Sequence, residues 1–148
     1  LVGRKTTRDG GQSAKAIAAQ VEKTEAELIA NGSADAKAVA ARLAAARKAF
    51  LDVVDFMAGA AKSSPNDVYA GSVPYLMLTG NLVAGWQLGR ALLVAQEQAA
   101  KGVDTSFMNA KVITARFYAD HILVKASGLR DSIVEGAASV TALPLESF

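Results

Sequence analysis

The sequence predicts an all-α fold built as a four-helix up-down bundle, and three observations lead there. Apolar residues recur at spacings of three and four over long stretches, which places them on one face of a helix. Short runs rich in Gly, Asn, Ser and Pro separate the stretches, and these residues end helices and make turns. Strand-type alternation is absent. At 148 residues, with 51% hydrophobic and 20% charged, the chain is the size of one domain with its own core.

Residues 1–11 (LVGRKTTRDGG) show little periodicity and are expected to be extended or looped. Arg4, Lys5 and Arg8 against Asp9 make this segment locally positive. It reads as a solvated tail, or as a strap that crosses a neighbouring domain and meets an anion. The first helix is predicted from about Gln12 to Ala30, with Ala14, Ile17, Ala18, Val21, Leu28 and Ile29 as its stripe and Thr24 filling the gap. Asn31 and Gly32 stop it, since both accept the left-handed conformation at a helix end.

Ser33 is a good cap for the second helix, and Asp35 suits the positive end of the helix dipole. This helix is predicted to about Ala61, with a stripe of Ala36, Val39, Ala40, Leu43, Ala46, Phe50, Val53, Val54, Met57 and Ala61. Lys37, Arg42, Arg47, Lys48, Asp52 and Asp55 lie off the stripe and form a solvated face. The turn at 62–67 (KSSPND) precedes the third helix, in which Pro74 marks a kink or a fresh start. The helix continues to about Lys101, with Glu97 four residues ahead for an ion pair, and Gly102 ends it. Asp104 or Thr105 caps the fourth helix, predicted to about Glu135. Its seam of Met108, Val112, Ala115, Ala119, Ile122, Ala126, Leu129 and Ile133 alternates four and three without a break. Phe117 and Val124 widen it. Gly136 ends the helix, and residues 137–148 form a short tail containing Pro144.

Residues 74–95 (PYLMLTGNLVAGWQLGRALLVA) are the most apolar stretch and contain the only Trp, Trp86. A helix that is apolar on every side is covered on several sides, by protein or by lipid, and about 20 apolar residues suffice to span a bilayer. Arg90, well inside the stretch, would cost about 2.5–3.5 kcal/mol at mid-bilayer. The three amphipathic helices offer enough apolar surface to surround it. This helix is therefore expected to be the most buried element of a bundle, with no membrane span. Gly85 and Gly89 have the spacing that lets helices approach closely, in water as in lipid.

Composition excludes several chemistries. Without Cys there is no disulfide, thiolate metal site or Cys nucleophile. A net charge of +2 is too small to indicate a nucleic-acid partner. The only His, His121, has Tyr118 three residues before it and Lys125 four after. Asp120 points about 100° away on a helix, so it does not orient the ring. His121 is expected to hydrogen-bond structurally rather than to catalyse. No Glu-x-x-His pattern of a di-iron bundle occurs, and Gly10-Gly11 opens no phosphate loop. Arg90 stands out as either an end-of-bundle salt-bridge partner or the partner of a carboxylate in another domain. Sequence spacing assigns no catalytic, cofactor-binding or metal residue. No signal or transit peptide is visible, and the start at Leu1 suggests a processed chain or a piece of something longer.

Particular runs go further. LVGRK at 1–5 followed by RDGG at 8–11, SVPYL at 72–76, ARFYADHIL at 115–123 and ALPLESF at 142–148 occur in an order and spacing that resemble one branch of the acyl-CoA dehydrogenases. That branch, which includes methylmercaptopropionyl-CoA dehydrogenase, carries an extra C-terminal helical domain. The resemblance covers nearly the whole chain, but none of its landmarks is catalytic. It implies an FAD-dependent parent that desaturates an acyl-CoA thioester. In such enzymes a Tyr-Glu-Gly-Thr run precedes the LVGRK segment; its Glu takes the α proton while the flavin takes the β hydride. No such run occurs here.

The expectation is therefore a helical domain at 12–148 joined through 1–11 to a flavin domain, with a packing and assembly role, no FAD of its own and a cytoplasmic location. An independent helical interaction module is the alternative, and a membrane-associated bundle is a third class. Apolar surface left open on the first or third helix predicts self-association, most simply as a symmetric dimer.

Overall fold

The computed structural model describes residues 1–147; Phe148, the last residue of the ALPLESF run and of the predicted tail, lies outside the described residues. Seven helices follow in chain order: α1 (Gln12–Asn31), α2 (Ala34–Ala60), α3 (Pro65–Ala70), α4 (Ser72–Ala100), α5 (Thr105–His121), α6 (Ala126–Val134) and α7 (Ala137–Val140). Among the described residues there is no strand, so the chain is all-helical. None of the described helices is long and apolar enough to cross a membrane.

The helix ends follow the local chemistry. Ser33 caps α2, its Oγ accepting from the Ala36 amide at 3.2 Å. Gly32 closes α1 at φ 81°. Asp104 caps α5 by accepting from the Phe107 amide at 3.3 Å. Pro74 marks a fresh start rather than a kink: α3 ends at Ala70, and Pro74 is the third residue of α4. Its missing amide hydrogen falls in the first turn, where that group has no partner within the helix.

α2 is the centre. It packs against α1, α4, α5 and α6, and Val39, Leu43, Phe50, Val53, Val54 and Met57 are almost wholly buried. Alanines at 36, 40, 46 and 49 let its neighbours approach closely. This corrects the expectation that residues 74–95 form the most buried helix. Tyr75, Leu78, Leu82 and Leu92 of α4 are buried, but Leu76, Met77 and Val94 are each more than half exposed, as is Val73 just before the stretch. The bundle is too small to wrap α4. On the packed side, a Cβ at Gly85 would lie 2.7 Å from Leu123 Cδ1, and one at Gly89 would lie 3.2 Å from Leu28 Cδ1. The Gly85/Gly89 pair therefore seats two neighbouring leucines.

The predicted fourth helix is divided. α5 ends at His121, a tight 3₁₀ turn covers Leu123–Lys125, and α6 resumes at Ala126. The shift buries Leu123 over Gly85, leaving Ile122 only half-buried. An unbroken helix would have kept Ile122 on the seam. Phe117 and Val124, expected to widen that seam, are instead exposed, at 59% and 42%. Ile17 and Ile29 on α1 likewise face outward.

The charged side of α2 is not simply solvated. Arg47 grips Glu25 of α1 with two hydrogen bonds, at 2.8 and 2.9 Å, and also reaches Glu22 at 3.2 Å. Asp55 pairs with Lys15 at 2.7 Å, Asp52 with Arg130 of α6 at 3.5 Å, and Arg42 with Asp120 of α5 at 3.8 Å. These ties join α2 to three of its neighbours through its polar face, while its apolar face makes the core.

Candidate functional site

The most built-up corner lies at the N-terminus, where residues 1–11 fold back onto the bundle. Val2–Thr6 form one turn of π-helix, closed by the Thr6 and Thr7 amides donating to the Leu1 and Val2 carbonyls at 3.2 and 3.0 Å. The expected extended or looped conformation gives way because two side chains are drawn inward. Val2 is 4% exposed and belongs to the core, and the Thr6 hydroxyl hydrogen-bonds the buried Tyr75 hydroxyl at 2.7 Å. Burial pushes the Tyr75 hydroxyl above its ordinary pKa, so it stays protonated. Its ring stacks on Phe50 with centroids 6.0 Å apart.

The turn into α1 depends on Gly11, at φ 86°, a conformation that L side chains rarely adopt. A Cβ there would also lie 2.6 Å from Val54 Cγ1. Asp9 locks the turn: its carboxylate accepts from the Gly11 amide at 3.1 Å, the Ser13 amide at 3.0 Å and the Ser13 hydroxyl at 2.5 Å. The Ser13 hydroxyl, aided by these amides, holds the Asp9 carboxyl below its usual range.

This local structure gathers the three cations singled out in the sequence. Arg4, Lys5 and Arg8 line an open hollow of about 340 Å³ with Asp9 and Ser13. Against it lies a second, mainly apolar hollow of about 300 Å³, half open to solvent, with Leu1 and Ile17 at its surface, the buried Ala14, Phe50 and Tyr75 beneath them, and Lys5 and Ser13 shared between the two. A third groove on the far side of the same turn runs over Leu1, Gly3, Tyr69, Val73 and Leu76.

The other sequence candidates are not brought together. His121 is exposed, and its ring lies on Phe117 at 4.5 Å between centroids. Its neighbour Asp120 is taken up by Arg116 at 2.6 Å, which holds the Asp120 carboxyl below its usual range. Arg90 is exposed, donates to Gln87 at 3.0 Å and lies 5.7 Å from the centroid of the Trp86 ring. Among the described residues it does not form the end-of-bundle salt bridge that was one expectation. Sequence reasoning missed Glu25 on α1, which is 5% exposed and held by Arg47. It also took Thr24 for a gap-filler, whereas the Thr24 hydroxyl accepts from the Trp86 indole at 2.9 Å. Glu25 sits next to Thr24 on a buried face, and a lone carboxylate there signals a cation on the facing helix.

Residues 14–144 match the family described as acetyl-CoA dehydrogenase C-terminal like. The chain belongs to that family. Over 140 residues it is 46% identical to 3-methylmercaptopropionyl-CoA dehydrogenase of Ruegeria pomeroyi, covering 95% of this chain and 24% of the relative. Over 145 residues it is 30% identical to the broad-specificity linear acyl-CoA dehydrogenase FadE5 of Mycobacterium tuberculosis, covering 88% of this chain and 22% of the relative. The chain thus spans less than a quarter of the length of either relative.

As a member of the acetyl-CoA dehydrogenase C-terminal-like family, the chain invites comparison with FAD. A dinucleotide is held by free backbone amides at a helix N-terminus after a glycine turn. At the start of α1 the Gly11 and Ser13 amides are already taken by Asp9, which occupies the place a phosphate would need. The start of α1 therefore offers no free amide cradle of that kind, and no flavin step is assigned to its residues.

Proposed function

We infer that the chain is the C-terminal domain of an FAD-dependent acyl-CoA dehydrogenase, an oxidoreductase that forms the 2,3-enoyl-CoA from an acyl-CoA thioester. The observation that carries this reading is the coverage: 95% of this chain aligns with 24% of a dehydrogenase at 46% identity. On this reading a preceding flavin domain supplies FAD and the catalytic Glu. Residues 1–11 join that domain to a bundle at 12–148, whose long helices alternate up and down. The role of the bundle is packing and assembly in a cytoplasmic enzyme, and no catalytic, cofactor or metal residue is assigned within it.

Self-association is part of the proposal. The exposed apolar residues Val73, Leu76 and Met77 of α4 offer the surface for it. The reading is tested in two steps. The coding region directly upstream of Leu1 is expected to encode, in frame, a flavin domain with a Tyr-Glu-Gly-Thr run. The isolated 148-residue chain is expected to purify colourless and to oxidise no acyl-CoA, while the joined chain is yellow and active. An in-frame start codon immediately before Leu1, or a flavin band in the isolated chain, would overturn it. Light scattering at several concentrations tests the association, and a strict monomer removes that part.

A further inference from the structure

We propose that the N-terminal corner is a binding site for an amphiphile with a small anionic head and an apolar tail, a fatty carboxylate or an alkyl phosphate. This rests on the geometry of the strap, α1, α2 and α4, and not on the flavin-domain reading.

The head and tail compartments are adjacent and chemically distinct. In the outer hollow three cations face one carboxylate. That carboxylate, Asp9, is directed at the Gly11 amide and at the amide and hydroxyl of Ser13, so its oxygens are satisfied within the turn. Among the described residues, Arg4, Lys5 and Arg8 have no carboxylate within ion-pairing distance; Arg90 and several lysines are likewise unpaired, but these three line one hollow. The strap thus concentrates positive charge that the rest of the molecule leaves uncompensated, and such charge attracts an anion.

The inner cavity is the right neighbour for a tail. Its hydroxyls are spent on one another, on the backbone or on Asp9. The Thr6 hydroxyl bonds Tyr75, the Thr79 hydroxyl donates to the Tyr75 carbonyl at 2.8 Å, and the Ser13 hydroxyl donates to Asp9. No buried side-chain polar atom among the described residues lacks a partner. The hollow therefore presents hydrocarbon mainly from Leu1 and Ile17, over a buried floor of Ala14 and Phe50, in a volume of about 300 Å³, near the lower end of ligand pockets. Lys5 and Ser13 line both spaces, so one molecule can place its head among the cations and its tail along Leu1 and Ile17. Ile17, off the bundle core at 39% exposure, finds a use as one wall of the mouth.

The test is titration calorimetry on the 148-residue chain below the micelle concentration. Hexanoate, octanoate, decanoate, decyl phosphate and inorganic phosphate are the probes. Each two methylenes added should tighten Kd by about tenfold until the cavity is filled. Decanoate and decyl phosphate distinguish the two heads, and binding of either supports the site. Arg4→Gln with Arg8→Gln should weaken both at least fivefold and leave the chain-length dependence unchanged. Ile17→Trp should fill the cavity and abolish the chain-length dependence, while residual phosphate binding persists. Amide shifts in NMR spectra of the unaltered chain should cluster at Lys5, Ser13, Ile17 and Thr79, a readout that needs no variant to fold. Affinity independent of tail length, shifts centred elsewhere, or no binding of any probe would overturn the proposal.

Discussion

α2 and α4 are close in length, 27 and 29 residues, and their compositions invite opposite assignments. α4 is apolar almost throughout, with Arg90 and Glu97 as its only charged residues. α2 carries Asp35, Lys37, Arg42, Arg47, Lys48, Asp52 and Asp55 along its whole course. Yet α2 lies at the centre and α4 at the side, with Leu76, Met77 and Val94 in solvent. Both helices pack against α1, α5 and α6 and against each other, so the difference lies in what faces the open side: charged and small residues on α2, large apolar ones on α4. Charges do not prevent central placement when they leave through one face and find partners there, as Arg47 does with Glu25.

Truncation should separate the two helices most sharply. Phe50 of α2 is 1% exposed and stacked on Tyr75. Phe50→Ala should cost about 3–5 kcal/mol, the usual range for a deleted core aromatic. Leu76→Ala on α4, at a residue 59% exposed, should stay within about 0.5 kcal/mol. Urea unfolding of both variants, at a concentration where the chain is monomeric, measures the gap. Comparable losses would mean that α4 is covered in solution.

The next effect probes how α2 carries charge so close to the core. Glu25 is buried, and Arg47 has a side chain only 19% exposed. The bond to Glu25 raises the Arg47 pKa further, so the guanidinium stays charged. Glu25→Gln leaves that cation with Glu22 alone, and the loss should be about 3 kcal/mol, as for a broken buried pair. A double-mutant cycle with Arg47→Met checks it: the double variant should recover part of the loss. Additive losses would show that the two side chains are not coupled.

The sequence exposed the helices readily and their packing poorly. Caps at Ser33 and Asp104 and stops at Gly32 and Gly102 were legible because each is a local hydrogen-bonding or backbone preference. Leu123 replacing Ile122 on the seam was not, since it depends on a hollow made by Gly85 on another helix. Nor was the outward face of α4, because an apolar helix looks the same whether its neighbours enclose it or leave one side open. At the N-terminal corner the cations were legible as a cluster. The cavity behind them was hidden, because Thr6 and Tyr75 meet across 69 residues of chain.

Glycine substitutions sharpen the contrast between the packed and open sides of α4. Gly85→Ala would push a methyl group into Leu123, which would lie 2.7 Å away. The expected cost is about 1–3 kcal/mol. Gly80 lies on the exposed side of the same helix, and a methyl group added there would have nothing within 4 Å. Gly80→Ala should therefore stabilise by about 0.5–1 kcal/mol through helix propensity alone. Thermal melts followed by circular dichroism should move in opposite directions; equal signs would place α4 in a different rotation about its axis.

The smallest effect concerns the outer polar tie between α2 and α5. Arg116 bonds Asp120 at 2.6 Å and Asp35 at 3.1 Å, and Arg42 approaches Asp120 at 3.8 Å. The hydrogen bond from Arg116 is the main reason the Asp120 carboxyl titrates below its usual range. A carboxyl with a depressed folded pKa binds fewer protons in the folded than in the unfolded chain. Its stabilisation is therefore complete above the ordinary Asp value of about 3.9 and is lost as pH falls through the folded value. Asp120→Asn should lower the melting temperature slightly at neutral pH, and the difference should close in acid below that ordinary value. The group is exposed, so added salt should shrink the difference as well. A gap that persists in acid and in high salt would mean that the substitution acts through packing, and that α2 is fastened to α5 by its apolar face alone.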